Sequence, residues 1–240
     1  MTVKIRFQFQ IVLFGLISFS TCGVHAQDTP AMRVVRDIMT LKASIRSDSN
    51  NRMVDIITAI PGVSTDLRYA TRHNFMNKRL YPAITTTYVR LPVAAALRNV
   101  QAVLVKQGMA LKIFDAYRPY AVTVNMWELI KDERYVANPK NGSGHNRGIA
   151  VDLTIINLQT GKELNMGTGF DNFSDTAHHS FMALTKEVTR NRTLLKTIME
   201  NHGFKSLETE WWHYSWTGTT YFDVLDISFR KLKKMQAGNF

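Results

Sequence analysis

Two imidazoles and two carboxylates lie in two short stretches of the chain. His145 and Asp152 are seven residues apart in the first stretch, and Glu210 and His213 are three residues apart in the second. Catalytic zinc sites commonly use three protein ligands of these types and leave a fourth position for water, which the metal acidifies. His145, Asp152 and His213 are therefore candidate ligands, and Glu210 is a spare carboxylate that could move protons. These residues predict a zinc hydrolase site.

Each pair taken alone is weak evidence for a metal site. A histidine and an aspartate at this spacing are structural in most proteins, although Gly148 permits a tight turn between them. Residues three apart lie on opposite faces of an ideal strand, so Glu210 would have to lie in the loop before a strand or at a bulge to join His213. The alternative for Glu210 is a surface glutamate beside the core pair Trp211–Trp212.

The stretch from Ile149 to Ile155 has the period of a strand. Alternation places its four large aliphatic side chains on one face and Asp152 on the other. A carboxylate in the middle of a strand needs a partner that offsets its burial, and a metal ion is one such partner.

The remaining pattern predicts the elements that would position these residues. We predict strands near Val54–Ile57, Ile84–Val89, Leu111–Phe114 and Trp212–Trp216, and helices from Pro92 to a cap at Gly108, from about Tyr120 to Asp132, and through Leu194–Met199 to Gly203. Strands and helices without regular alternation favour a single α+β domain, in which helices pack against a sheet.

Taken together, the motifs resemble those of one metallopeptidase family. The chain is similar to the zinc-dependent D-alanyl-D-alanine dipeptidases of the VanX type, within the wider group of peptidoglycan DD- and LD-peptidases. The likeness extends from about Val63 to Asp223 and includes, in order, Asp66–Thr71, Asn74–Phe75, Asp115–Pro119, Ser143–Thr154, Met166–Gly167, Phe170–Asp171, His178–His179, Ile198–Asn201, Gly203–Phe204 and Glu210–Tyr214.

The resemblance implies a role for each matching position. It implies one zinc ion per chain held by His145, Asp152 and His213, with Glu210 as general acid/base. It further implies that Arg118 steadies the oxyanion, and that Tyr69, Ser143 and Asp171 hold the ends of the substrate, with Asp171 facing the free amine. The implied fold is hedgehog-like or DD-peptidase-like, a mainly antiparallel sheet with flanking helices and the zinc site on the sheet. The implied substrate is a small D,D-dipeptide or a peptide derived from peptidoglycan.

Two other functions fit the same residues. The stretch between Arg118 and Ser143 is shorter than is usual in the family, which favours a DD- or LD-carboxypeptidase that trims stem peptides. The second alternative is a protein with the same scaffold that only binds the cell wall. Such a protein would not need Glu210 or Arg118.

The first 26 residues predict a secretory signal peptide. Lys4 and Arg6 precede an apolar run that ends in small residues before Ala26. We therefore expect residues 27–50 to be an N-terminal leader segment and 51–240 to be the dipeptidase domain, exported across the inner membrane and periplasmic. Cys22, the only cysteine of the chain, would be removed with the signal peptide unless it carried a lipid anchor.

The charge of the chain is strongly basic. Removal of residues 1–26 would leave 28 basic and 19 acidic residues, a net charge of +9. This charge favours attraction to an anionic cell envelope, whereas nucleic-acid binding would need a patterned basic patch, so we expect no nucleic-acid partner. The dense cluster Arg230–Lys234 is either a solvated terminus or a binding element. The apolar run in 1–26 is half the length of a membrane span, and we expect no stable membrane insertion.

Overall fold

The computed structural model describes residues 1, 2 and 32–237. The chain divides into two units, Met1–Ala31 and Met32–Phe240. The described part of the second unit contains these strands and helices in chain order: β1 Val34–Val35, α1 Ile38–Ser47, β2 Met53–Asp55, α2 Ile56–Ala59, β3 Ser64–Thr65, β4 Tyr88–Arg90, α3 Leu91–Val105, β5 Met109–Asp115, α4 Tyr120–Leu129, α5 Gly144–Arg147, β6 Ala150–Asn157, α6 Lys186–Asn201, β7 Phe204–Leu207, β8 Glu210–Trp216, β9 Val224–Leu225 and α7 Phe229–Ala237.

A five-stranded sheet forms the centre of this unit. Its strand order is β3-β5-β6-β8-β7. Strand β3 runs parallel to β5, and every other neighbouring pair in this sheet is antiparallel. Two short two-stranded sheets, β1-β9 and β2-β4, lie outside it. The predicted α+β class with a mainly antiparallel sheet is confirmed.

The predicted strand and helix faces around β6 are present. Val151, Leu153 and Ile155 belong to one buried cluster with apolar residues of α3 and α6. Helix α3 begins beside Pro92, as its sequence predicts, and the chain turns after it at Gly108, whose φ is +71°. This cluster fixes one side of β6, so Asp152 and its neighbours Ala150 and Thr154 belong to the other side.

Two predicted strands differ from the structure. Residues 56–59 form the short helix α2, because the side chain of Asp55 accepts hydrogen bonds from the N–H groups of Ile57 and Thr58 and caps the helix. In the predicted strand Ile84–Val89, ladder pairing begins only at Tyr88. The hydroxyl of Thr86 donates instead to Asp55 at 2.7 Å. Local side-chain bonds here replace the ladder that β-branched residues favour.

The segment expected as a leader ahead of the domain packs within it. Strand β1 pairs in parallel with β9, and Leu41 and Ile45 of α1 are buried in a second apolar cluster with Leu232 and Met235 of α7. Residues 34–47 therefore belong to the folded unit, and the basic cluster 230–234 lies on a packed helix rather than on a frayed tail.

The predicted signal peptide and Cys22 lie outside the described residues, except for residues 1 and 2. Within the described part of the chain, no helix combines the length and the apolar character needed to cross a membrane.

Candidate active site

Three acidic or imidazole side chains lie in one row across the central sheet. Asp152 on β6 is directly opposite His213 on β8 and, on its other side, opposite Asp115 on β5. Opposite residues on antiparallel strands have Cβ atoms only about 4.5–5.5 Å apart. The pairing of the strands thus brings together groups that are far apart in the sequence.

An irregularity in β5 places Asp115 in this row. Ile113 pairs with Leu153, but the next pair is Asp115 with Asp152, so β5 advances by two residues where β6 advances by one. Phe114 is the additional residue. Such a bulge turns the following side chain to the other face of the sheet. Asp115 therefore faces the same side as Asp152.

A one-turn helix positions His145 over this row. Ser143 caps helix α5, and its hydroxyl accepts from the N–H of His145 at 3.1 Å. Gly148 ends the helix with φ of +72°, and a Cβ there would lie 2.9 Å from the sulfur of Met53. Glycine is therefore needed for the predicted turn that returns the chain to β6.

The three predicted ligands converge. His145 Nε2 lies 3.2 Å from His213 Nδ1, which lies 2.9 Å from Asp152 Oδ1. One potential ligand atom from each residue falls within 4.8 Å of the other two. His145 Nδ1 lies 2.8 Å from the carbonyl of Ala116 and must donate to it, so Nε2 presents its lone pair to the site.

The donor set fits a zinc ion. Two imidazole nitrogens and one carboxylate are a usual catalytic zinc set and leave room for a further ligand. Burial alone would raise the pKa of Asp152, but the two histidines lower it, so this carboxyl is ionised. Burial lowers the pKa of His213, which keeps its imidazole neutral. Both are the protonation states that metal ligands require.

Glu210 lies beside the ligands because β8 is irregular. Ser206 pairs with Tyr214, and Leu207 pairs with Glu210, so the pairing advances by one residue along β7 but by four along β8. The Glu210 carboxylate reaches to 3.9 Å from His213 Nδ1. Burial raises the pKa of Glu210 well above its usual value, and Asp152 and Asp171 raise it further. The residue lies at a strand irregularity, one of the two positions that its spacing requires.

Asp115 holds Arg118 against the site. Asp115 Oδ2 accepts from Arg118 Nε at 3.1 Å and from Nη2 at 2.9 Å, and the Tyr81 hydroxyl donates to Oδ1 at 2.9 Å. Burial alone would lower the pKa of Arg118, but Asp115 raises it well above its usual value. The guanidinium is therefore a fixed positive charge, 3.8 Å from Asp152 Oδ2.

Asp171 and Tyr69 form a second polar pair. The Tyr69 hydroxyl donates to Asp171 Oδ1 at 2.9 Å, and the ring of Tyr69 lies 5.1 Å below the guanidinium of Arg118. Asp171 Oδ2 is buried and has no hydrogen-bond partner among the described residues. Burial raises the pKa of Asp171 to about 7. A buried, unpartnered carboxylate oxygen is a suitable acceptor for a ligand amine.

These groups line one cavity of about 220 Å³. The eight residues predicted from the sequence all line it: Tyr69, Arg118, Ser143, His145, Asp152, Asp171, Glu210 and His213. Its volume is below the range of about 300–1,000 Å³ that is usual for drug-sized ligands, which suits a very small substrate. The Ser143 hydroxyl accepts within its helix cap and keeps its hydrogen for a ligand.

Sequence reasoning assigned no role to several residues that line this cavity or hold Arg118 beside it. Asp115 had a usable signal, because it ends an apolar strand and precedes Arg118 by three residues. Phe75 belongs to the Asn74–Phe75 motif of the resemblance, but the motif predicted no role for it. Tyr81 and Tyr135 lie in segments without periodicity, and nothing in the sequence marks them.

Comparison with known proteins assigns the chain to a family. The sequence model of the Peptidase_M15 family, described as D-ala-D-ala dipeptidase, matches residues 49–230. The D-alanyl-D-alanine dipeptidase of Escherichia coli K12 is 30% identical over 177 residues, which cover 74% of this chain and 91% of that relative. The D-alanyl-D-alanine dipeptidase of Enterococcus faecium is 32% identical over 181 residues, which cover 65% and 86%.

Solved structures give more distant likenesses. The LdcB LD-carboxypeptidase matches with a TM-score of 0.40 and 22% identity over 77% of this chain and 72% of that one. VanYB in complex with D-alanine-D-alanine matches with a TM-score of 0.37 and 14% identity over 62% and 77%.

Proposed function

The chain belongs to the D-ala-D-ala dipeptidase family, and on that basis we propose that it is an exported zinc dipeptidase that hydrolyses D-alanyl-D-alanine to two molecules of D-alanine. The observation that carries this proposal is the convergence of His145, Asp152 and His213 on a small cavity that Glu210 also lines. Two imidazoles, a carboxylate ligand and a free buried carboxylate are the groups that a metal-dependent peptidase needs.

His145, Asp152 and His213 would hold one zinc ion per chain. A bound zinc ion polarises the scissile carbonyl and acidifies water, so that hydrolysis proceeds at neutral pH. The carbonyl of Ala116 supports this assignment, because it holds the His145 ring with Nε2 toward Asp152 and His213.

Glu210 acts as the general acid and base. It takes a proton from the attacking water and returns it to the nitrogen of the leaving D-alanine. The raised pKa of Glu210 supports the first of these transfers being followed by the second, because a carboxyl of high proton affinity holds the proton from water until it passes it to the nitrogen as the C–N bond breaks.

Arg118 stabilises the negative charge that develops on the carbonyl oxygen. Its guanidinium is fixed by two hydrogen bonds to the buried Asp115, so little reorganisation is needed during the reaction. Loss of one such fixed donor costs about 3–4 kcal/mol in other hydrolases.

Asp171 binds the free amine of the substrate, and the hydrogen bond from Tyr69 holds the carboxylate of Asp171 in place. Its second oxygen is buried and available. The hydroxyl of Ser143 donates to the carboxyl end of the dipeptide. A carboxylate that faces the amine favours free dipeptides over longer chains.

Amine binding by Asp171 predicts a pH dependence of KM. The raised pKa of about 7 means that Asp171 becomes ionised as the pH rises through neutrality. The KM for D-Ala-D-Ala should therefore fall between about pH 6 and 7.5, where the substrate amine remains protonated. In Tyr69→Phe the hydrogen bond that lowers this pKa is lost, and the fall in KM should move to higher pH. A KM that is constant across this range in the wild-type protein would contradict the role of Asp171.

Export follows from the predicted signal peptide in residues 1–26. An exported, basic dipeptidase would act on wall-derived D-Ala-D-Ala outside the cytoplasm, in the periplasm of a cell with two membranes. Fusion of residues 1–26 to a periplasmic reporter tests this location, and retention of the reporter in the cytoplasm would contradict it.

The decisive test is hydrolysis of D-Ala-D-Ala by the mature protein, metal-free and zinc-loaded. We expect D-alanine release only after zinc loading. A muropeptide that ends in D-Ala-D-Ala is the comparison substrate. Efficient cleavage of the muropeptide would assign a wall-trimming carboxypeptidase instead, and no hydrolysis of either substrate would refute the peptidase proposal.

A further inference from the structure

Three aromatic side chains from separate loops meet beside the candidate active site. The rings of Phe173 and Tyr135 are stacked with centroids 4.7 Å apart, and Phe75 meets Phe173 edge to face at 5.2 Å. We call these three residues the aromatic clasp. Their loops lie between β3 and β4, between α4 and α5, and between β6 and α6. Contacts of this geometry stabilise an aromatic pair beyond its buried area.

Two residues of the clasp form part of the cavity wall. Phe75 and Tyr135 line the same cavity as the candidate ligands. The ring of Phe75 also meets the ring of Tyr69 edge to face at 6.2 Å, and Tyr69 donates to Asp171. Phe173 follows Asp171 by two residues. The clasp therefore packs against the residue that donates to Asp171.

The Tyr135 loop is tied to the sheet that carries the site. The hydroxyl of Thr209 donates to the carbonyl of Arg134 at 2.9 Å, immediately before Glu210. The guanidinium of Arg134 lies over the Tyr135 ring, 5.3 Å from its centre. These contacts hold Tyr135 in place relative to β8.

We propose that the aromatic clasp limits the substrate to a single residue on the amino side of the bond that is cleaved. The inference rests on the proposed function, in which Asp171 binds the substrate amine. A residue added before the first D-alanine would have to pass Asp171 and enter the space that Phe75 and Tyr135 fill. Its amide would meet aromatic carbon instead of water, which leaves polar groups without partners. The clasp thus makes the protein a dipeptidase, although the stretch between Arg118 and Ser143 is short.

The test compares D-Ala-D-Ala with glycyl-D-Ala-D-Ala, which keeps a free amine one residue further out. The readout is the ratio of kcat/KM for the tripeptide, measured as release of D-alanine with glycyl-D-alanine, to kcat/KM for the dipeptide. In zinc-loaded Tyr135→Ala this ratio should rise about tenfold or more, the scale on which one added group is discriminated in a pocket. Tyr135→Phe keeps the ring and should keep the wild-type ratio. Tyr221→Ala removes a tyrosine that is 49% exposed and does not line this cavity, and it is the matched control.

The outcomes separate this inference from the proposed function. Three results would overturn the proposed role of the clasp. They are an unchanged ratio in Tyr135→Ala, an equal rise in Tyr221→Ala, and a wild-type protein that cleaves both substrates equally well. If Tyr135→Ala fails to fold by circular dichroism, Phe75→Leu replaces it, because leucine keeps the apolar character and removes the ring. A wild-type protein that cleaves neither substrate refutes the proposed function itself.

Discussion

Replacement of Glu210 by glutamine is expected to reduce turnover of D-Ala-D-Ala by about 10²- to 10⁴-fold, the range over which a positioned acid or base contributes. Glutamine keeps the shape of the buried side chain but cannot take a proton from water. The zinc content should remain that of the wild-type protein, because Glu210 is not one of the three predicted ligands. Turnover and bound zinc are measured on the same preparation.

A neighbouring glutamate supplies the control for this variant. Glu208 is exposed and accepts a hydrogen bond from the N–H of Ser180, away from the ligands. Glu208→Gln should therefore keep wild-type turnover. If Glu210→Gln retains more than a tenth of the wild-type rate, the general acid/base assignment is wrong. If it loses zinc, Glu210 is a ligand.

Replacement of His213 by alanine is expected to remove the metal and, with it, all zinc-dependent hydrolysis. Among the described residues, the only imidazole grouped with His213 and Asp152 is His145, which is itself a predicted ligand and cannot also replace His213. A ligand that binds only the folded state at 100 times its Kd stabilises that state by about 2.7 kcal/mol. Zinc should therefore raise the Tm of the wild-type protein and leave the Tm of His213→Ala unchanged.

His73→Ala is the matched control, because His73 is exposed and lies outside the cavity. It should bind zinc and show the wild-type rise in Tm. Full zinc content in His213→Ala, measured by elemental analysis after dialysis, would refute the assignment of His213 as a ligand.

The sequence was sufficient for the parts of the site that depend on local pattern. Alternation along β6 separates Asp152 from the apolar face, and the glycine at 148 predicts the turn that brings His145 back to the strand. The apolar spacing of α3 and its proline also predict that helix. In each case the pattern and the physical cause lie within a few residues of one another.

The parts that were missed have two causes, a local hydrogen bond in one case and contacts between distant segments in the others. The helix α2 replaces a predicted strand because Asp55 caps it, a local bond that outweighs the β-branched residues beside it. The contribution of α1 and α7 to one apolar cluster requires elements from both ends of the described chain. The aromatic clasp joins three loops, each of which lacks a periodic pattern that would show which way its ring points.

The additional residue in β5 has a consequence for how this sheet tolerates change. Leu111 and Ile113 lie opposite Ile155 and Leu153 on the apolar side, and simple alternation would place Asp115 there as well. Because Phe114 is an additional residue, the alternation of side chains between the two faces of the sheet is shifted by one after it. The sidedness of Asp115 is thus encoded by the number of residues in β5 and not by the identity of residue 114. Point substitutions in this strand preserve the reversal, whereas a change in its length by one residue exchanges the inner and outer faces at the position that holds Arg118.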